Sequence, residues 1–364
     1  MRKIKFGIRI PASGPASSAQ RLVESTLAAE ELGYDMVLTL DHIHNSFERH
    51  MHHPVGMGSY EDKSNTLEPN NSEPVSTFSY LAGMTKKIQF AAGIMSVLFR
   101  DPTVLAKEIA TLDNLSNGRF IMGVGVSNIT KKEEFLAVGK PFKKYEERYK
   151  MLGEYVGAMK AIWENKSASY HGEYVNFDDL VVYPKPVRKP NPPIWVGCYT
   201  LSGGINRPAV KFAVEHADGW IYGYLMTPET LDAMISDFKL TSKAAGRGLA
   251  NFAWCFQIRA SIGVSESEAR KYCEWIPKLQ GDMSRYSGYM RKKKENWRKA
   301  EGAKAAPDSI LESSVIGTGS KISKTIEQFV NAGANHFDIS FMYPRYEDLV
   351  RQMKLFARQC LPSF

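Results

Sequence analysis

Long apolar runs are missing from this chain of 364 residues. No window approaches the about 18 consecutive apolar residues that a membrane-spanning helix needs. The N-terminus, MRKIKFGIRIPASGP, starts positive but lacks an apolar block with a cleavage site, so no signal peptide and a cytoplasmic location are expected. Cysteine is scarce. The four residues, Cys198, Cys255, Cys273 and Cys360, are widely spaced and form no CxxC pair, so neither a disulfide framework nor a zinc site is suggested. No strand candidate is followed by GxGxxG, which argues against a dinucleotide-binding open sheet. Internal repeats and low-complexity segments are also absent. With 43% hydrophobic and 24% charged residues, the composition excludes disordered, collagen-like and coiled-coil classes.

What is present begins with charge. The chain holds 47 basic and 39 acidic residues, a net of +8. Segment 266–304 carries eleven Lys/Arg against six Asp/Glu, so +5 of that excess is local. Tyr286, Tyr289 and Trp297 accompany the Arg291–Lys294 run, but a solvated helix face accounts for them, and no nucleic acid partner is expected.

Short apolar strands alternate with helical periods along the chain. Strands are expected at Ile4–Ile10, Met36–Leu40, Ile88–Met95, Phe120–Val126, Ile194–Gly197, Gly219–Tyr222, Phe252–Val264 and His336–Phe341. Helices are expected at about Ser18–Leu32, Pro74–Met84, Pro102–Ser116, Arg207–His216, Pro228–Ala245 and Lys321–Ala332, with a last one at the C-terminus. Tyr145, Tyr149, Leu152, Val156, Met159 and Trp163 recur every three or four residues and mark another. Tyr170–Val182 alternates and is read as an inserted hairpin, and 266–304 as a charged helical region. Parallel neighbours need crossover helices, so eight strand–helix units point to the α/β class and a single (β/α)8 TIM barrel over residues 1–364. Insertions are expected near 42–72, 165–190 and 266–304.

A barrel of this kind carries its site at the C-terminal strand ends. That rule selects Asp41, His42, His44 and Asn45 after the second strand, and Ser96, Phe99 and Arg100 after the third. It selects Ser127, Asn128 and Thr130 after the fourth, then Gly197, Cys198, Tyr199, Gly203 and Gly204 after the fifth. Tyr222 and Tyr224 follow the sixth strand, and Tyr343 and Arg345 the eighth. Asp41-His42 is the sharpest pair: histidine moves protons near neutral pH, although a loop-capping role would place it there too. Five of the eight histidines (His42, His44, His50, His52, His53) lie between 42 and 53 in no established ligand spacing, so a solvated loop is expected and a metal is not. Gly203-Gly204 before a helix could bind an anion through backbone N–H groups, or be a plain surface loop.

The stretch PTVLAKEIATLDNLSNGRFIMGVGV (102–126) combines a helix, a turn and a strand ending in GVG. With LAAEELGYDMVLTLDHIHN, YPKPVRKPNPPIWVG and AVEHADGWI, it resembles the luciferase-like flavin and deazaflavin superfamily. DHIHN and FAAGIMSVLFRDP are similar to segments of its coenzyme F420-dependent branch, which includes methylenetetrahydromethanopterin reductase. That resemblance implies a non-prolyl cis peptide at Gly93–Ile94, forming a bulge against the cofactor. It implies that Ser127, Asn128, Gly197 and Cys198, with Gly203 and Gly204, hold the ring or its phosphate. It implies His42 as proton donor, with Asp41 orienting the loop. Members often carry an acid directly after strand four, where this chain has Val126-Ser127-Asn128. Hydride transfer between F420 and a small organic substrate is the implied activity, in a homodimer. FMN-dependent monooxygenation with O2 and a flavin reductase partner is the alternative, and a non-catalytic flavin-binding barrel is the third reading.

Overall fold

The computed structural model describes residues 4–13, 16–43, 71–127, 132–198, 207–223, 227–274 and 314–364. Eight parallel strands close a barrel: β1 (Lys5–Arg9), β2 (Met36–Thr39), β3 (Gln89–Ala92), β4 (Phe120–Val124), β7 (Ile194–Cys198), β8 (Gly219–Tyr222), β9 (Ala253–Ile262) and β11 (His336–Phe341). Register runs from Gly7 beside Met36 around to Asp338 beside Gln257, and Gly7 beside Asp338 completes the circle. Two further strands, β5 (Ala168–His171) and β6 (Asn176–Leu180), form the expected antiparallel hairpin. The (β/α)8 architecture read from the alternation is the observed one.

Helices cover the outside: α1 (Ala19–Glu31), α2 (Pro74–Ala82), α3 (Pro102–Leu115), α4 (Lys132–Ala137), α5 (Tyr145–Glu164), α6 (Arg207–His216), α7 (Pro228–Ala244), α8 (Glu266–Lys271), α9 (Gly319–Asn331) and α10 (Tyr346–Gln359). Their starts are written in local chemistry. Glu73 before Pro74 accepts the Val75 and Ser76 N–H groups, and Asp101 before Pro102 accepts those of Thr103 and Val104. A side-chain acceptor satisfies orphan donors, and proline at the first position loses no helical bond. Gly33 ends α1 at φ +83°, a conformation that glycine adopts without steric cost.

Alternation in each strand separates two cores. Phe6, Ile8, Phe90, Phe120, Met122, Trp220, Phe256 and Ile339 face outward against the helices. Met36, Leu38, Ala91, Ile121, Trp195, Ile221, Ala253 and Cys255 form the smaller core inside the barrel. The periodic face of α5 packs on the outer core, with Leu152, Val156, Met159 and Trp163 each at most 1% exposed. Burial at that level contributes about 1.5–3 kcal/mol per large side chain.

Two elements lie beyond the sequence reading. Helix α4 occupies Lys132–Ala137, and strand β10 (Ser314–Gly317) pairs in parallel with the upper part of β9 outside the barrel. Most of the basic segment falls outside the described residues, which show a helix only at Glu266–Lys271 there. Among the described residues no helix is long and apolar enough to cross a membrane.

Candidate active site

The site is built from the upper ends of β2, β3 and β4. Strand β2 runs out at Thr39, and the chain then presents Asp41 and His42. Asp41 is buried, and its carboxylate receives both arms of the Arg100 guanidinium at 2.7 and 3.1 Å. The same carboxylate accepts the Ser96 N–H at 2.8 Å. Burial works against the Arg100 cation, but Asp41 and Glu73 outweigh it and hold its pKa above the ordinary value. Asp41 thus ties the chain after β2 to the segment after β3.

His42 sits next along the chain with a quarter of its side chain exposed. Its Nδ1 lies 3.6 Å from Oε1 of Glu134, outside hydrogen-bond range but within ion-pair range. The other Glu134 oxygen accepts the Ile43 N–H at 3.1 Å, and the Asn71 amide donates to the His42 carbonyl at 2.7 Å. Glu134 is 2% exposed, a buried carboxylate aimed at the histidine. Glu134 comes from α4, the first helix after strand four.

The Gly93–Ile94 peptide at the end of β3 is cis, as expected from the resemblance. Ile94 points between two glycines at neighbouring strand ends. A Cβ on Gly125 would stand 2.0 Å from Ile94 Cδ1, and one on Gly197 would stand 2.6 Å from its Cγ2. Glycine at both positions leaves room for this side chain as it stands, seated like a plug across the barrel mouth. Beside it the Ser96 and Ser127 hydroxyls share a hydrogen bond of 3.0 Å, with Ser127 at φ +59°. Buried Arg148 of α5 reaches beneath this corner, donating to the carbonyls of Val126 and of Ser127, the latter at 2.8 Å, under the Phe142 and Tyr145 rings.

Below the mouth, polar side chains line the barrel interior. Arg9 pairs with Asp338 and reaches the Gly93 carbonyl at 3.4 Å, while Gln257 donates to Asp338 at 2.8 Å. All three are at most 6% exposed. The sequence reading missed them, although the signal was there. In FGIRI, CFQIRASI and HFDISF the apolar residues alternate, so the polar ones between them face the barrel axis.

The structure brings together Asp41, His42, Gly93, Ile94, Ser127 and Gly197 at one end of the barrel. Cys198 ends β7, placed by its backbone. Asn128, Gly203 and Gly204 lie outside the described residues, as do His44, Asn45, His50, His52, His53, Thr130, Tyr199 and Tyr224. Tyr222 faces the outer core, stacked on Trp220 at 5.5 Å, away from the mouth. Among the described residues no group of three His, Cys, Asp or Glu could hold a metal ion.

The luciferase-like monooxygenase family matches residues 4–336 of this sequence. The chain belongs to that family. Among relatives of this family member, the FMNH(2)-dependent dimethylsulfone monooxygenase of Pseudomonas putida is 32% identical over 181 residues, 50% of this chain and 47% of that protein. The F420-dependent glucose-6-phosphate dehydrogenase of Intrasporangium calvum is 29% identical over 215 residues, 58% of this chain and 55% of that one. The chain thus spans about half the length of these relatives. An F420-dependent secondary alcohol dehydrogenase in complex with an F420-acetone adduct shares the fold at TM-score 0.72 and 22% identity, over 98% of both chains. The oxygenating constituent of 3,6-diketocamphane monooxygenase from Pseudomonas putida, in complex with FMN, shares it at TM-score 0.76 and 16% identity, over 99% of both.

Proposed function

We propose that this luciferase-like protein is an oxidoreductase that moves hydride between coenzyme F420 and a small organic substrate. The observation that carries this reading is His42, set just past the C-terminal end of β2 and backed by the buried Glu134 carboxylate. The residues fit a flavin-type ring, which has flat apolar faces and a hydrogen-bonding pyrimidine edge. Ile94 offers an apolar surface, and the Ser96 and Ser127 hydroxyls donate and accept. Backbone at Gly93 and Gly197, with Cys198, Asn128, Gly203 and Gly204, completes the proposed cradle. When bound, the deazaflavin supplies the two-electron chemistry.

The chain's own work is proton handling. Glu134 at Nδ1 favours the imidazole tautomer protonated there, leaving Nε2 to exchange a proton with the substrate. Asp41 and Arg100 hold the backbone that presents His42. The mild positive charge of the chain suits the anionic tail of F420. One barrel domain over 1–364, a homodimer and a cytoplasmic location complete the proposal.

The F420-dependent relative supports this assignment, whereas the Pseudomonas putida relative supports FMN with O2 and a reductase partner. Absorbance titration of the purified protein with each cofactor separates the two. Saturable binding of F420, followed by its substrate-dependent bleaching or recovery, is the expected result. Tight FMN binding with no response to F420 overturns the assignment in favour of the monooxygenase. Binding of neither overturns both enzymatic readings.

A further inference from the structure

We infer that Arg100 is a positioning residue for this site, a clamp that fixes the His42-bearing end of strand two to the strand-three segment carrying Ile94 and Ser96. The inference rests on the hydride-transfer reading. Arg100 closes the short turn Val97–Phe99 after the bulge, its own N–H donating to the Val97 carbonyl at 3.1 Å. From there the guanidinium turns back to the neighbouring strand ends. Nη1 meets Asp41 Oδ2 at 2.7 Å, and Nη2 meets Asp41 Oδ1 and Glu73 Oε1, each at 3.1 Å. Lys140 in turn donates to the Arg100 carbonyl at 2.7 Å.

Asp41 is the hub of this arrangement. Its Oδ2 is shared by Arg100 and the Ser96 N–H, so one carboxylate oxygen joins the two segments. Ser96 passes the constraint to Ser127 through the hydroxyl pair, and Asp41 passes it to His42 through one peptide unit. The chain His42, Asp41, Ser96, Ser127 thus spans three strand ends, with Arg100 as the cation that holds its carboxylate in place. Only the planar fork of arginine reaches both Asp41 oxygens and Glu73 together, whereas an ammonium is a point donor. Without the fork, a carboxylate that is 4% exposed loses its counter-charge and swings toward water. The Ser96 amide is then released. Misplacing a proton-transfer group by about 1 Å can cost about 100-fold in rate.

The test compares Arg100→Gln and Arg100→Lys with wild type, and with Arg351→Gln as a control that removes the surface ion pair to Glu268. Three quantities are read: kcat and KM with F420, the absorbance maximum of bound cofactor, and hydrogen exchange of the Ser96 amide. For Arg100→Gln we expect kcat to fall about 10- to 100-fold. KM should stay within about threefold, the bound-cofactor maximum should move, and Ser96 exchange should rise about tenfold, a loss of about 1.4 kcal/mol of protection. Arg100→Lys keeps the charge, so it should restore part of the Ser96 protection but leave kcat well below wild type. If Arg100→Gln fails to fold, Arg100→Lys decides by the same measurements. Unchanged kcat, spectrum and exchange in a folded variant overturn the inference, as does a loss confined to thermal stability. If wild type binds FMN and ignores F420, the cofactor assignment falls by itself. Ser96 exchange and the bound-FMN spectrum then still judge the clamp.

Discussion

Replacing Gly125 by alanine is the sharpest mechanical test of the barrel mouth. The new methyl group would lie 2.0 Å from Ile94 Cδ1, where ordinary contact begins at 3.4 Å. Cδ1 is the free end of a partly exposed side chain, so Ile94 relieves part of the overlap by turning away, limited on the other side by the Gly197 strand, where a Cβ would stand 2.6 Å from its Cγ2. Gly125 is not among the positive-φ glycines, so alanine itself is unstrained there and would on its own add about 0.4–1 kcal/mol. The overlap therefore dominates, and overpacking of this kind costs about 1–3 kcal/mol. Ile94→Ala alone should cost about 2 kcal/mol, the lower end for a large-to-small change, because Ile94 is partly exposed. In the double variant the collision disappears, so the two changes should couple by about 1–2 kcal/mol in the stabilising direction. Urea unfolding followed by tryptophan fluorescence on all four corners of the cycle measures this. Additivity within about 0.5 kcal/mol would refute the account of Ile94 as a plug seated on two glycines.

Three further outcomes are expected. His42→Asn should lower kcat about 100- to 10,000-fold with cofactor affinity near wild type, and unchanged turnover would remove the proton-transfer role. Glu134→Gln keeps the shape but removes the charge beside His42, so steady-state kinetics should show at least about a tenfold fall in kcat. Urea unfolding of the same variant should show a loss of about 1 kcal/mol, from the weakened bond to the Ile43 N–H. His216 is pushed down to about 4 by burial, with Lys160 and Arg247 adding to it, and half-exposed Glu215 at 3.7 Å does not offset them. The unfolded chain thus takes up this proton near pH 6.5 and the folded chain only near 4. The stability from His216 is complete above pH 6.5 and is lost as pH falls toward 4, by about 2–3 kcal/mol. Unfolding midpoints of His216→Gln between pH 7 and 4.5 should fall less steeply than those of wild type, and parallel curves would refute the assignment.

Period-two and period-3.6 patterns made the barrel legible, and the bounds Arg207–His216, Gly219–Tyr222 and His336–Phe341 match the observed elements. Each of these is long or apolar enough to carry its own signal. Ser314–Gly317 does not: four residues next to an insertion acquire strand geometry only because β9 runs far enough to pair with them. Glu134 was missed for a related reason. Nothing local distinguishes it from Glu133, and its burial comes from the fold bringing Ile43 and His42 against α4. Arg9, Gln257 and Asp338 are legible in the alternation, since each stands between two outward-facing apolar residues. The pairing of Asp41 with Arg100 joins residues far apart in sequence, and only the adjacent strand ends reveal it.

The outward step of β9 has a consequence for how this chain can vary. Gly263 donates to the Gly317 carbonyl at 3.2 Å, and Glu266 meets Lys321 at 3.3 Å, so the two flanks of the connection between β9 and β10 are joined to each other. Both flanks of that connection are therefore held by described strands, β9 on one side and β10 on the other. The junction is thus independent of the strand ends that carry Asp41, Gly93 and Ser127, which belong to β2, β3 and β4, so a change of length between its flanks is expected to leave those positions in place.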